Sequence, residues 1–109
     1  MLDLLENKEI TKTDIRVYKL IKRLTVNNGF AEMKATYIAD EIKRSKYTVY
    51  ASVKRLVKHG FLRKKYILKK GEKQVLCNSW KKVKHMQDEK RFALTGTRYI
   101  INTEHSSQT

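Results

Sequence analysis

Residues Ser45 to Leu62 read SKYTVYASVKRLVKHGFL, and their spacing leaves little choice of local structure. Val49, Val53, Leu56 and Val57 recur at i, i+4, i+7 and i+8, which is one face of an α-helix. Ser45 is a good N-cap, its hydroxyl available to the first free backbone N–H groups. Gly60 stands where a C′ glycine closes a helix in the left-handed conformation. A short connection, RSK, separates this helix from an earlier one expected from about Ala35 to Lys43, with Ile38, Ala39 and Ile42 facing inward. A connection that tight makes the two helices neighbours in the fold.

The flanking sequence extends the pattern in both directions. Thr11 with Asp14 three residues on resembles a capping box. Val17, Leu20, Ile21 and Leu24 follow it as a buried stripe, and Asn27 to Gly29 supplies a helix stop. FAEM, from Phe30, is a short strand candidate. After Gly60, Phe61 to Lys69 and Lys73 to Asn78 read as the strands of a β-hairpin turning at Gly71. A helix is expected from Ser79 to Arg91, with Trp80, Val83 and Gln87 on one side. RFALTGTRYIIN then alternates like a strand pair about Gly96. Trp80 and Tyr99 are read as core or interface residues. The expected organisation is an N-terminal segment at 1–10, a domain at 11–78, a C-terminal extension at 79–102 and a disordered tail at 103–109. Leu2, Leu5, Trp80 and the RYII segment are candidates for a dimer interface.

Charge narrows the function. The 109 residues carry a formal net charge of +14. Between Lys43 and Lys84 stand fifteen basic residues and a single acid, Glu72. Such segregation fits a polyanionic partner better than a surface merely kept soluble by lysine. An anionic membrane would need large apolar residues on an exposed amphipathic face, and no stretch approaches the roughly 18 apolar residues of a membrane span. The acidic start MLDLLENKE is unlike a signal peptide, so a cytoplasmic location is expected. Cys77 is the sole cysteine, which leaves no intramolecular disulfide. No metal-ligand pair, glycine-rich phosphate loop or nucleophile beside a base is legible, so neither a metal nor a cofactor nor an enzymatic activity is expected. His59 reads as a helix C-terminal cation, Cys77 as a small apolar filler, and Asp40-Glu41 as a polar helix side.

The outward side of the Ser45 helix has its own chemistry. At about 100° per residue, Tyr47, Ala51, Lys54 and Lys58 lie opposite the apolar stripe, with Tyr50 and Arg55 bordering them. Lysine and arginine neutralise phosphate or donate to guanine, tyrosine reaches phosphate or base edges, and a small alanine allows close approach. Lys46, Tyr47 and Thr48 sit at the helix N-terminus, where free N–H groups favour a phosphate, with Arg44 and Ser45 in the turn before them. Arg63, Lys64 and Lys65 enter the hairpin, and Lys69, Lys70 and Lys73 cluster at its tip. A basic tip of this kind can follow phosphates or probe a narrow A·T-rich minor groove.

TYIADEIKRSKYTVYASVKRLVKHGFL resembles the winged-helix family of helix-turn-helix DNA readers. The family pattern of an IA-x-x-I helix, a serine at the turn, a TV pair and L-x-x-x-GF is met by Ile38-Ala39, Ile42, Ser45, Thr48-Val49, Leu56 and Gly60-Phe61. The resemblance covers about half the chain. It implies an α+β, mainly α fold: a three-helix core with a basic β-hairpin wing, here followed by a C-terminal extension. It implies a homodimer on double-stranded DNA, with Lys46, Tyr47, Thr48, Tyr50, Ala51, Lys54, Arg55 and Lys58 on the reading helix, Arg44 and Ser45 at the turn, and Arg63, Lys64, Lys65, Lys69, Lys70 and Lys73 on the wing. NNGFAEM, IADEI and SKYTVYASV also look like the small centromere-binding adaptors of tubulin-type plasmid partition systems. A repeated plasmid or phage site (centromere, transfer or replication origin) is therefore one expectation, with a second protein of a partition or transfer complex as partner. A winged-helix repressor at an operator is the alternative, and RNA binding a third. The absence of a separate sensor domain favours the mobile-element version. Plentiful lysine, isoleucine and asparagine point to an AT-rich target. Base-stacking aromatics on an open sheet would favour RNA.

Overall fold

Thr11 opens the first helix by reciprocal bonding. Its hydroxyl accepts the Asp14 N–H at 3.1 Å, and the Asp14 carboxylate accepts the Thr11 N–H at 3.0 Å. This capping box starts α1, Lys12–Leu24, as TKTD leads one to expect. The computed structural model describes residues 9–25 and 30–102. The Leu2 and Leu5 contacts, the Asn27–Gly29 stop and the tail at 103–109 lie outside the described residues. Helix α1 buries Val17, Leu20 and Ile21, and also Tyr18 and Asp14, which the apolar spacing alone does not mark.

After β1, Phe30–Met33, comes α2, Ala35–Ile42, with Ile38, Ala39 and Ile42 buried on one side. Lys43 then takes a left-handed φ of 58°, and the Arg44 N–H donates to the Ala39 carbonyl at 3.0 Å. A left-handed lysine is unfavourable by roughly 1–2 kcal/mol, and this conformation makes the short corner. Helix α3, Lys46–Lys58, follows. Ser45 caps it by accepting the Thr48 N–H at 3.2 Å. Val49, Val53 and Leu56 are buried against α1 and α2, and Val57 is half-buried. At its end the Phe61 N–H reaches the Leu56 carbonyl and the Gly60 N–H reaches that of Val57. With Gly60 at φ 83°, this is the Schellman closure anticipated from the C′ glycine.

The rest of the chain builds an antiparallel sheet with strand order β1-β4-β2-β3. Strands β2, Leu62–Lys70, and β3, Lys73–Cys77, form the expected hairpin. Gly71, at φ 61°, takes the first of its two loop positions, where a type II′ turn places glycine. Helix α4, Trp80–Asp88, is shorter than the expected Ser79–Arg91, with Ser79 as its N-cap. The last strand, β4, is Ala93–Ile101.

Strand β4 departs most from expectation. It is a single strand and not a pair about Gly96, and it inserts between β1 and β2. The alternation of RFALTGTRYIIN reverses because the register slips there: Gly96 pairs with Ile67 but Leu94 with Leu68, leaving Thr95 as an extra residue. Residues 93–101 are thus a central part of the sheet, not a segment appended to a domain that ends at 78. Asn102 ties this end down, its side chain donating to the Gly60 carbonyl at 2.8 Å.

Helices cover one face of the sheet at two places. Ala31, Leu62 and Tyr99 join the core of α1, α2 and α3. Leu68 and Cys77 join Val83 of α4 in a separate, smaller core with Phe92 and Leu94. The architecture is α+β, with four helices and four strands among the described residues. No helix among them is long and apolar enough to cross a membrane.

Candidate nucleic-acid interface

The burial of Val49, Val53 and Leu56 fixes which side of α3 stays outside. Tyr47 is 69 % exposed and Tyr50 52 %, and Ala51, Lys54 and Lys58 are exposed beside them. The two tyrosine rings meet edge to face at 6.1 Å, and the Lys46 ammonium lies 5.3 Å from the Tyr47 ring centre. These contacts hold the rings without covering them. At the helix start, Arg44 and Ser45 are exposed, and the Thr48 hydroxyl is 3.1 Å from that of Ser45. The Thr48 hydroxyl is therefore engaged within the cap.

Arg55 differs from its neighbours. Its Nε and Nη2 donate to the two Asp14 carboxylate oxygens at 2.7 and 2.8 Å. Asp14 is fully buried. Burial is the largest influence on its carboxyl and raises its pKa, but hydrogen bonds from Arg55 and the Thr11 amide, with the arginine charge, bring it below the usual 3.8. The Arg55 guanidinium is thus committed to clamping α3 onto α1, and its place among the outward reading residues is corrected accordingly. Helical angle put it on the border of the strip, but the partner is 41 residues away and cannot be read from spacing.

The hairpin lysines divide by strand parity. Lys64, Lys70 and Lys73 share the helix-facing side with Leu62, Tyr66 and Leu68, whereas Arg63, Lys65 and Lys69 lie on the opposite side. The expected basic cluster is therefore two half-clusters back to back. The tip is also remote from α3. From Leu62 to Lys70 the strand runs about 26 Å, and α4 packs on the sheet in between.

Between α3 and α4 the helix-facing side of the sheet is left uncovered, and a groove of about 830 Å³ opens there. Val53 and Tyr50 of α3 form one wall, Trp80 of α4 the other, and Tyr66, Thr97 and Tyr99 the floor. Its rim carries Lys34, Lys54 and Lys64, and among the described residues no acid lines it. Trp80 is 51 % exposed, which puts it outside the core and leaves the interface half of its expected role, whereas Tyr99 is a core residue, at 3 %. Burial, helped by the nearby Tyr50 and Tyr66, pushes the Tyr99 phenol up to about 12. It stays a neutral hydrogen-bond donor at physiological pH. Sequence reasoning missed Lys34 and Tyr66 here, and singled out Trp80 only as a core or interface residue. The alternation Leu62, Lys64, Tyr66, Leu68 placed Tyr66 on the inner side, but only the insertion of β4 and the docking of α4 show what faces it.

Elsewhere the polar residues have structural surroundings. His59, the C-cap of α3, pairs with Glu9 at 2.7 Å. Cys77 is buried in the smaller core. Asp40 and Glu41 are exposed on α2. Among the described residues no group of three or more His, Cys, Asp or Glu is placed to hold a metal ion. No protein-family model, curated protein or solved structure matches the chain.

Proposed function

We propose that the protein is a non-enzymatic, sequence-specific binder of double-stranded DNA, of the winged-helix kind, acting as a homodimer in the cytoplasm. The observation that carries this reading is the exposed strip of Tyr47, Ala51, Lys54 and Lys58 on a helix whose other side is locked in the core. An α-helix fits the major groove, and this strip combines phosphate neutralisation, base-edge donors and close approach. The exposed N-terminal turn of α3, with Arg44 and Lys46, adds a place for backbone phosphate. The element order, helix, strand, helix, helix and then a hairpin, also agrees with a winged helix. The lysine tip of the hairpin, with its two sides, would reach phosphates at a distance from the reading helix. In this reading the target is a repeated, AT-rich site of a plasmid or phage.

The test is footprinting on the DNA upstream of the protein's own coding sequence, with competition between duplex DNA and structured RNA. Protection of two or more repeated half-sites at spacings of about one helical turn supports the proposal. Protection of one palindrome over a promoter moves the process to transcriptional repression. Tighter retention on structured RNA, or no duplex binding at about 50 mM salt, overturns duplex reading.

A further inference from the structure

The groove between α3 and α4 has a composition that duplex reading by α3 does not require. An edge-to-face aromatic pair, Tyr66 of the floor and Trp80 of the α4 wall with ring centres 5.4 Å apart, borders it, and Tyr50 stands on the α3 side. Leaving aromatic area half exposed forgoes the burial that stabilises a small domain, and here Tyr50 and Trp80 both remain about half exposed on facing walls. The cations are distributed to match. Lys34, Lys54 and Lys64 edge the opening, and the Lys64 ammonium lies 5.2 Å from the Tyr66 ring centre. Thr36, Thr95 and Thr97 line the same space, with the Thr95 hydroxyl donating to the Ile67 carbonyl at 3.3 Å.

Aromatic residues on both walls and a cationic rim are the components of a site for unpaired bases. Stacking accepts any base because every base has a π-face, and lysines track the backbone. A space of about 830 Å³ has room for a few unpaired nucleotides. We infer that this groove binds single-stranded DNA, with unpaired bases stacked against Tyr50, Tyr66 and Trp80 and their phosphates held by Lys34, Lys54 and Lys64. The choice of DNA over RNA rests on the proposed duplex reading. Tyr50 and Lys54 belong both to the outward surface of α3 and to the groove, so a strand leaving a bound duplex would enter here without a break in the cationic surface. A sheet tyrosine such as Tyr66 is equally the kind of platform that RNA uses, so the ribonucleotide arm of the test decides that point.

Trp80 is the chain's only tryptophan, so its emission reports on the groove alone. The full chain is titrated with oligothymidylate of about eight nucleotides, with the matching oligouridylate, with thymidine monophosphate and with duplex DNA. Oligothymidylate should quench Trp80 emission saturably. By anisotropy of the labelled oligonucleotide, Trp80→Ala and Tyr50→Ala should each weaken binding about 5- to 100-fold, as removal of one stacking partner does. Trp80→Phe should restore most of it. Oligonucleotide binding that leaves Trp80 emission unchanged, or that Trp80→Ala does not weaken, overturns the site. Thymidine monophosphate bound as tightly as the oligonucleotide overturns the strand in favour of a small ligand. Tighter oligouridylate overturns the choice of DNA. Loss of duplex binding alone, with quenching intact, refutes the duplex reading and leaves the single-strand site standing.

Discussion

Arg55 provides a sharp separation of folding from recognition. On α3 it stands between Lys54 and the buried stripe, and a basic residue there would ordinarily be counted as a DNA contact. The structure instead has it donating twice to Asp14, at 2.7 and 2.8 Å. Replacing it with methionine keeps the volume but leaves a fully buried carboxylate without its cation. Breaking a buried pair in this way costs about 3–5 kcal/mol. The Arg55 side chain keeps 36 % of its exposure, so the pair is partly hydrated and about 2–3 kcal/mol is the better expectation. That corresponds to a melting temperature lower by roughly 10 °C or more for a domain of this size. The double variant D14L/R55M removes both charges and should recover most of the loss, short of about 1 kcal/mol for the missing capping box. Urea unfolding of the wild type, both single variants and the double variant measures the coupling directly. Below the midpoint of R55M, its duplex binding should keep the wild-type salt slope. Wild-type stability together with a salt slope lower by about one would refute the clamp and return Arg55 to the DNA.

Three further outcomes follow from the same geometry. Tyr47→Ala or Lys54→Ala should reduce discrimination between target and random duplex by about 1–3 kcal/mol, read from competition binding; equal loss on both would remove α3 from the reading role. Lys70→Gln or Lys73→Gln should weaken all duplexes alike and lower the salt slope by about one for each phosphate no longer neutralised; an unchanged slope would place the tip away from DNA. Asp14 has a folded-state pKa below its unfolded value, so its stabilising effect is fully present above about pH 4 and is lost as pH falls through the lowered value. The stability gap between wild type and D14N, followed by urea unfolding, should therefore be constant near neutrality and close only in strong acid.

The local sequence determined the helices, their caps and the hairpin because each depends on groups a few residues apart. Thr11 and Asp14, Ser45 and Thr48, and Leu56 with Gly60-Phe61 meet within one or two turns, so spacing alone predicts their bonds. The outward strip of α3 was legible for the same reason, since burying Val49, Val53 and Leu56 exposes Tyr47, Ala51 and Lys54. What only the tertiary structure decided involves partners far apart along the chain. Nothing local to Arg55 indicates Asp14. Nothing in RFALTGTRYIIN says that it will enter the sheet between strands formed some thirty and some seventy residues earlier. That insertion makes the C-terminal third part of the fold, sets α4 opposite α3, and brings Trp80 and Tyr66 to the same groove as Tyr50. Side-chain period gives the face of a strand or helix on which a residue lies, but only packing determines what stands across from it.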